Sequence, residues 1–298
     1  MVNALPTDAQ ALFPWTSEAL SVPAGTLRYV DAGEGDPILA VHGNPTWSFY
    51  WRALIAHYEG RARVVVPDHI GCGRSDKPQA WTYRLADHID NLVRLVEHLD
   101  LSRITLVVHD WGGAIGLGMA GRMPERVSRI VITNTGAFRS QAIPMSIASC
   151  RIPLFGPLAV RGFNAFAVAA TLRTTVRPLA PAVKAGLLAP YGSWADRIAT
   201  LRFVEDIPLA PSHPSYATLV SVEEGLAALT DTPTLIAWGE QDWCFTPAFR
   251  EEFERRLPRA EVERYDDAAH YLIEDVPERL LARMDRFLAD HPLDAAAS

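Results

Sequence analysis

Ile104-Thr105-Leu106-Val107-Val108-His109-Asp110-Trp111-Gly112-Gly113 is the stretch on which the fold turns. An apolar run, Ile104 to Val108, is followed at once by a helix-like one, Ala114 to Met123. The order is strand, sharp turn, helix, with Asp110 at the tip of the turn. A carboxylate is ionised at neutral pH, so one placed there can attack carbon without a base to take its proton. The product of that attack is an ester or an anhydride, which a second step must break.

Outward from this turn the chain keeps one rhythm. Strands are expected at Thr26 to Asp31, Pro37 to His42, Val64 to Val66, Ile104 to Val108 and Val127 to Thr133. Helical spacing covers Trp47 to Tyr58 and Leu85 to Leu99, the latter with Leu92, Val93, Val96 and Leu99 on one face. Strands that are apolar throughout, alternating with helices, imply an α/β fold whose mostly parallel sheet is covered on both faces. The rhythm breaks after Asn134. From Ala137 to about Ser215 the chain is rich in Arg, Pro, Phe and Ala and carries no clear strand, which predicts an inserted helical lid. Alternation resumes at Thr234 to Trp238, Pro247 to Leu257, Glu261 to Tyr265 and Glu278 to Leu288. The expected organisation is therefore a core first part at 1–136, a lid at 137–215 and a core second part at 216–298. Residues 1 to 23 read as a loose lead-in, and Ala295 to Ser298 as a frayed tail.

Bulk composition narrows the function. With 298 residues, 49% apolar and 21% charged, the chain is an ordinary globular protein. A net charge of −7 argues against nucleic acid as a partner. No apolar run reaches the roughly 18 residues of a membrane helix. The opening MVNALPTDAQALFPW lacks a basic segment followed by an apolar one, so no signal peptide is expected. The odd set Cys72, Cys150 and Cys244 suggests free thiols in a reducing cytoplasm, not a disulfide framework or a zinc site.

A nucleophile, an acid and a base occur in catalytic order. Asp110 is the nucleophile. Asp242 is the acid candidate, in the loop Trp238-Gly239-Glu240-Gln241-Asp242 after a late strand. His270 is the base candidate, in Asp266-Asp267-Ala268-Ala269-His270 after the last strand. Such a histidine can activate water against a covalent intermediate while the carboxylate holds its tautomer. Glu240 is a rival acid. The end of the Val127 to Thr133 strand is another place for one, but Asn134 stands there and cannot carry the charge, so Asp242 is favoured.

The second motif is His42-Gly43-Asn44-Pro45. Backbone N–H groups at this turn, with the Trp111 N–H, would form an oxyanion hole. The Asn44 amide and the Trp111 indole are further donors for a developing anion. The plainer alternative is that Asn44 caps the helix beginning near Thr46 and Trp111 only packs. His109 is expected to orient the turn, Arg74 and Asp76 to fix the loop Pro67 to Asp76, and Cys244 to pack. That Gly-rich loop has no phosphate-binding spacing. Eight basic residues lie in the lid: Arg139, Arg151, Arg161, Arg173, Arg177, Lys184, Arg197 and Arg202. Most are expected on solvated faces, with one or two free to meet a carboxylate. Phe155, Leu158, Val160, Phe163, Phe166, Leu187 and Leu188 line an apolar tunnel or form the lid's own core. So apolar a lid suits a hydrophobic substrate.

The chain resembles the haloalkane dehalogenase branch of the α/β-hydrolases. The resemblance is carried by His42-Gly43-Asn44-Pro45-Thr46-Trp47-Ser48, by Pro67 to Pro78 and by His109-Asp110-Trp111-Gly112-Gly113. In the lid, Leu188-Ala189-Pro190-Tyr191-Gly192-Ser193-Trp194 and Arg202-Phe203-Val204-Glu205-Asp206-Ile207-Pro208-Leu209 are similar to the β-lactone decarboxylases of bacterial long-chain olefin biosynthesis. Those enzymes turn a cis-3,4-dialkyl β-lactone into a cis-alkene and carbon dioxide. The resemblance implies Asp110 as nucleophile, Asp242 and His270 as its partners, and Asn44 and Trp111 as anion stabilisers. It implies no cofactor and no metal, and a place beside the enzymes that make the lactone. The competing expectations are a haloalkane dehalogenase, then an epoxide hydrolase using Tyr191 or Tyr216 as acid, then a non-catalytic binding protein on the same fold.

Overall fold

The computed structural model describes residues 5–293, so the tail from Ala295 to Ser298 lies outside the described residues. Eight strands are present among the described residues: β1 Glu18–Val22, β2 Gly25–Ala32, β3 Pro37–Val41, β4 Arg63–Asp68, β5 Ile104–Asp110, β6 Val127–Thr135, β7 Thr234–Gly239 and β8 Glu261–Tyr265. They form one sheet in the order β1-β2-β4-β3-β5-β6-β7-β8. β2 runs antiparallel to both β1 and β4, and the other pairings are parallel.

The strands are apolar throughout because both faces are buried. Leu39, Val41, Leu106, Val108, Ile130 and Ile132 point into one core, and Ile38, Ala40, Val107, Val131, Leu235 and Ala237 into the other. This is the period of two expected of a strand, with oil on either side. Burial of each Leu, Ile or Val among these side chains stabilises the fold by roughly 1.5–3 kcal/mol. The helices Leu85–His98, Trp111–Arg122 and Pro247–Arg256 cover the first face, and Arg52–Tyr58 and Pro277–Asp290 the second.

Two expectations change. From Leu5 onward the lead-in is ordered, with a helix at Thr7–Leu12 and then β1, an edge strand. Phe13 is buried and anchors it, with its ring 5.4 Å from that of Trp47. Only Val22 of β1 is buried, so its apolar pattern is faint in sequence. The buried stripe of Leu85–His98 is Leu85, His88, Ile89, Leu92, Leu95 and Val96, while Val93 and Leu99 lie at its edges.

Between β6 and β7 the chain runs through the helices Met145–Ser149, Ala165–Arg173, Pro181–Leu188 and Ile198–Glu205, with a one-turn π-helix at Leu158–Gly162. No strand lies between them among the described residues. β3 pairs with β5 directly, Val41 beside Val108, so the loops that follow these two strands are neighbours. The loops after β6, β7 and β8 emerge at the same carboxyl edge, where α/β sheets bind their ligands.

Candidate active site

Asp110 ends β5 and starts the helix Trp111–Arg122 with φ 51° and ψ −129°, a left-handed conformation that costs a non-glycine residue energy. The strain is held by neighbours: the Thr135 hydroxyl donates to the Asp110 carbonyl. Glycine is required close by. A Cβ on Gly43 would fall on the Asp110 carboxylate, and one on Gly112 would meet the Val41 carbonyl. The result is a buried carboxylate turned away from capping its own helix.

The sheet edge assembles the rest. The backbone N–H of Asn44 donates to Asp110 Oδ1 at 2.6 Å. His270 Nε2 lies 3.5 Å from Asp110 Oδ2, and its Nδ1 donates to Asp242 Oδ2 at 2.8 Å. Asp242 Oδ1 accepts from the backbone N–H groups of Cys244 and Phe245. The rival Glu240 is paired with Arg250 at 2.8 Å. Asn134 holds the acid: its Nδ2 donates to Asp242 Oδ2 at 3.0 Å and to the Gly239 carbonyl, while Gly239 N–H donates back to Asn134 Oδ1.

Charge follows geometry. Burial pushes the Asp110 carboxyl up, but the His270 hydrogen bond and charge, with the Asn44 N–H, outweigh it and the net shift is downward. Burial likewise lowers His270, but Asp242 and Asp110 on either side raise it to about 10, so it rests as an imidazolium. His109 is different: burial and the nearby His270 charge lower it to about 3. Neutral, it donates from Nε2 to the His270 carbonyl at 2.9 Å and fixes the base loop, an extension of the turn-orienting role expected of it. His42 is also held neutral by burial, lowered to about 4. Its Nδ1 donates to the Gly43 carbonyl and its Nε2 accepts from His69 N–H, bracing the turn that carries Asn44.

The five expected residues thus converge, with one change of role. The Asn44 N–H expected in an oxyanion hole is already taken by the Asp110 carboxylate. The Asn44 side chain does not cap a helix. It lines the site, and its Nδ2 donates to the lid carbonyl of Thr200 at 3.2 Å. Trp111 lines the same cavity with its ring 5.3 Å from Phe203. Cys244, expected only to pack, also lines the cavity beside Asp110, and burial with the Asp242 charge keeps its thiol protonated. Sequence gave no sign of this, because its orientation is set by the Asp242 turn.

Of the lid's apolar residues, Phe155 and Phe166 line the site. Val160 and Leu187 are buried in the lid, and Leu158 and Phe163 are exposed. Of the eight basic residues, Arg173 is the one that lines either of the two cavities at Asp110, its guanidinium 5.2 Å from the Trp243 ring. Arg139 and Arg202 pair with Glu223 and Glu205, and Arg151 and Arg197 donate to backbone carbonyls. Arg74 donates to the Trp15 carbonyl and Asp76 accepts from Thr26 N–H, as loop-fixing residues should. Tyr191 is buried with its hydroxyl on the Thr46 carbonyl, and neither it nor Tyr216 lines either cavity at Asp110, so among the described residues neither phenol faces Asp110 as an epoxide acid would.

A model of the alpha/beta hydrolase fold matches residues 36–277, and the chain is an enzyme belonging to that family. Within it, the chain is 41% identical over 286 residues to the cis-3-alkyl-4-alkyloxetan-2-one decarboxylase of Shewanella oneidensis, covering 94% of this chain and 90% of that one. It is 40% identical over 295 residues to the decarboxylase of the same name from Xanthomonas campestris, covering 94% and 98%. Among solved structures it is similar to the haloalkane dehalogenase DbeA of Bradyrhizobium elkani, with a TM-score of 0.84, 28% identity and coverage of 92% and 98%.

Proposed function

We propose that this enzyme decarboxylates a cis-3,4-dialkyl β-lactone to a cis-alkene and carbon dioxide, with Asp110 as the nucleophile. The observation that carries this reading is a buried carboxylate, held ionised by His270, at the meeting of two apolar cavities. The names of the relatives from Shewanella and Xanthomonas supply the substrate class.

The chemistry runs without a cofactor and without net water. Asp110 attacks the lactone's ring carbon C4, breaking its C–O bond and freeing the ring oxygen as a carboxylate on C2. The electrons of the C2–C3 bond then form the C3=C4 double bond as carbon dioxide leaves. In the same step the C4–O bond to Asp110 breaks and the Asp110 carboxylate returns. Attack inverts C4, and elimination with the leaving groups anti restores the relation, so cis substituents give a cis-alkene. Attack at the carbonyl would instead make an anhydride and leave an alkoxide, a poor leaving group.

The residues divide this work. The Asn44 N–H holds Oδ1 of Asp110, and the His270 imidazolium, held by Asp242, stabilises the carboxylate each time it is released. Apart from Asn44 and Asp110 the walls of the first cavity beside the freed substrate carboxylate are largely apolar, so losing its charge as carbon dioxide is favoured. Asn44 and Trp111 support the anion that forms. The helical lid of 137–215 lays apolar side chains, Ile147 and Phe166 among them, over Asp110. The same reading places the protein in the cytoplasm beside the enzymes that supply the lactone.

Gas chromatography of the organic extract after incubation with a long-chain cis-β-lactone tests it. An alkene peak matched by carbon dioxide, both absent in Asp110→Ala, is the expected result. A second reading, a haloalkane dehalogenase, is favoured by Asn44 and Trp111 lining the cavity with Asp110. Halide release from bromoalkanes with no alkene from any lactone would select it.

A further inference from the structure

Two cavities meet at Asp110, and among the described residues they share only Asn44, Asp110, Ile147, Phe166 and Cys244. We infer that they are separate alkyl subsites forking from the nucleophile, each taking one of the two chains on adjacent carbons of a single substrate. This inference rests on the decarboxylase reading and deepens it, by assigning a place to each branch of the lactone.

The walls differ in kind. The first cavity lies between the sheet's helical cover and the lid and is walled by large side chains, Leu85, Phe138, Leu219 and Phe249 on the core side and Ile143 and Ile207 from the lid. The second lies between Trp243, His270 and Tyr271 of the core and a lid wall in which Ala159, Ala165, Ala169 and Ala170 stand beside Phe155. Ala165, Ala169 and Arg173 are spaced by four on the helix Ala165–Arg173, so they share one face. Leucine at those positions would fill the space that alanine leaves open. Ile147 and Phe166 belong to both walls and form the divide.

A substrate with one chain fills one arm and leaves the other apolar hollow empty. Chains on adjacent carbons fill both, and burial of apolar surface rewards the second chain as it does the first. Each arm also has a way out. Ala142 is exposed on the first, and Ala165 and Ala169 are exposed on the second beside Phe155. A chain longer than its arm can therefore run outward past an alanine.

Those exposed alanines allow one arm to be plugged without touching Asp110. The variants are Ala142→Trp and Ala169→Trp. The probes are two cis-β-lactones, one with a long chain on C3 and methyl on C4, the other reversed. Each plug should lower kcat/KM at least about tenfold for one probe and spare the other, and the two plugs should choose opposite probes. Both should spare the cis-3,4-dimethyl lactone, which shows that the fold and the chemistry are intact. Equal losses on both probes, or none, overturn the fork.

A wild type that makes no alkene from any lactone would remove the decarboxylase reading and leave the fork to binding. An unreactive cis-alkene with two long arms should then bind about tenfold more weakly to either single plug. A straight alkane the length of one arm should be weakened only by the double variant, because either arm can hold it. Equal weakening of both ligands by the single plugs rejects the fork on its own.

Discussion

Asn134 donates its side-chain N–H to Asp242 at 3.0 Å, so the residue at one place where the acid can sit serves the acid at the other. The same amide is tied to the Gly239 backbone, which fixes it between β6 and β7. Asn134→Ala removes a buried donor worth roughly 1–3 kcal/mol to its carboxylate, which corresponds to about a tenfold to hundredfold loss of kcat. Asn134→Asp is nearly isosteric but puts a second carboxylate against Asp242, and should lose more than the alanine variant. A kcat unchanged in both would show that Asp242 is held without Asn134.

The pH profile follows from the charges on Asp110 and His270. Asp110 is shifted down, so its carboxylate persists below the usual carboxylate range and the acid limb of kcat/KM should lie there. His270 is raised from 6.5 to about 10, so the imidazolium persists until the alkaline limb. Its contribution to stability is whole below about 6.5 and is lost as pH rises towards about 10. Asp242→Asn removes the strongest of the interactions that raise it, and the alkaline limb should move to lower pH. A limb near 6.5 in the wild type would instead mark His270 as the free base of a hydrolase.

The sheet was legible because both its faces are buried, and strands such as Ile104–Asp110 then read as unbroken apolar runs. Asp110 was legible as the residue that ends a strand at the ligand edge, and Asp242 and His270 as residues of the loops that follow two later strands. What escaped were features made by packing at a distance. β1 shows one buried side chain, and its order comes from pairing with β2 and from Phe13 among aromatic rings. The turn of Cys244 into the cavity, the use of Asn134 as a brace and the carbonyl link from His109 to His270 join strands far apart in sequence. Nor does spacing alone show that Ala159, Ala165 and Ala169 line a cavity, because alanine is an ordinary helix former.

Oxygen labelling separates decarboxylation from hydrolysis at the same aspartate. In the proposed cycle Asp110 leaves as the carboxylate that attacked, and water never enters it. Several turnovers in H2(18)O followed by peptide mass spectrometry should find Asp110 unlabelled while alkene accumulates. A hydrolase would place solvent oxygen in Asp110 as His270 directs water onto the ester. Label appearing at the rate of product formation would therefore replace the elimination step by hydrolysis.

Gly43 offers the sharpest steric test. Its missing side chain makes room for the Asp110 carboxylate, and a Cβ there would overlap the carboxyl group itself. Gly43→Ala must push Asp110 away from the Asn44 N–H, which now donates to it at 2.6 Å. Losing that alignment should cost at least about a hundredfold in kcat, the scale on which a small displacement of a reacting group acts. Overpacking of this kind costs roughly 1–3 kcal/mol of stability, so the melting temperature should fall while the protein still folds. The lost activity should not return at lower temperature, where the variant is fully folded, because the defect lies in the aim of the carboxylate. Recovery on cooling would mean instead that Gly43 serves stability alone.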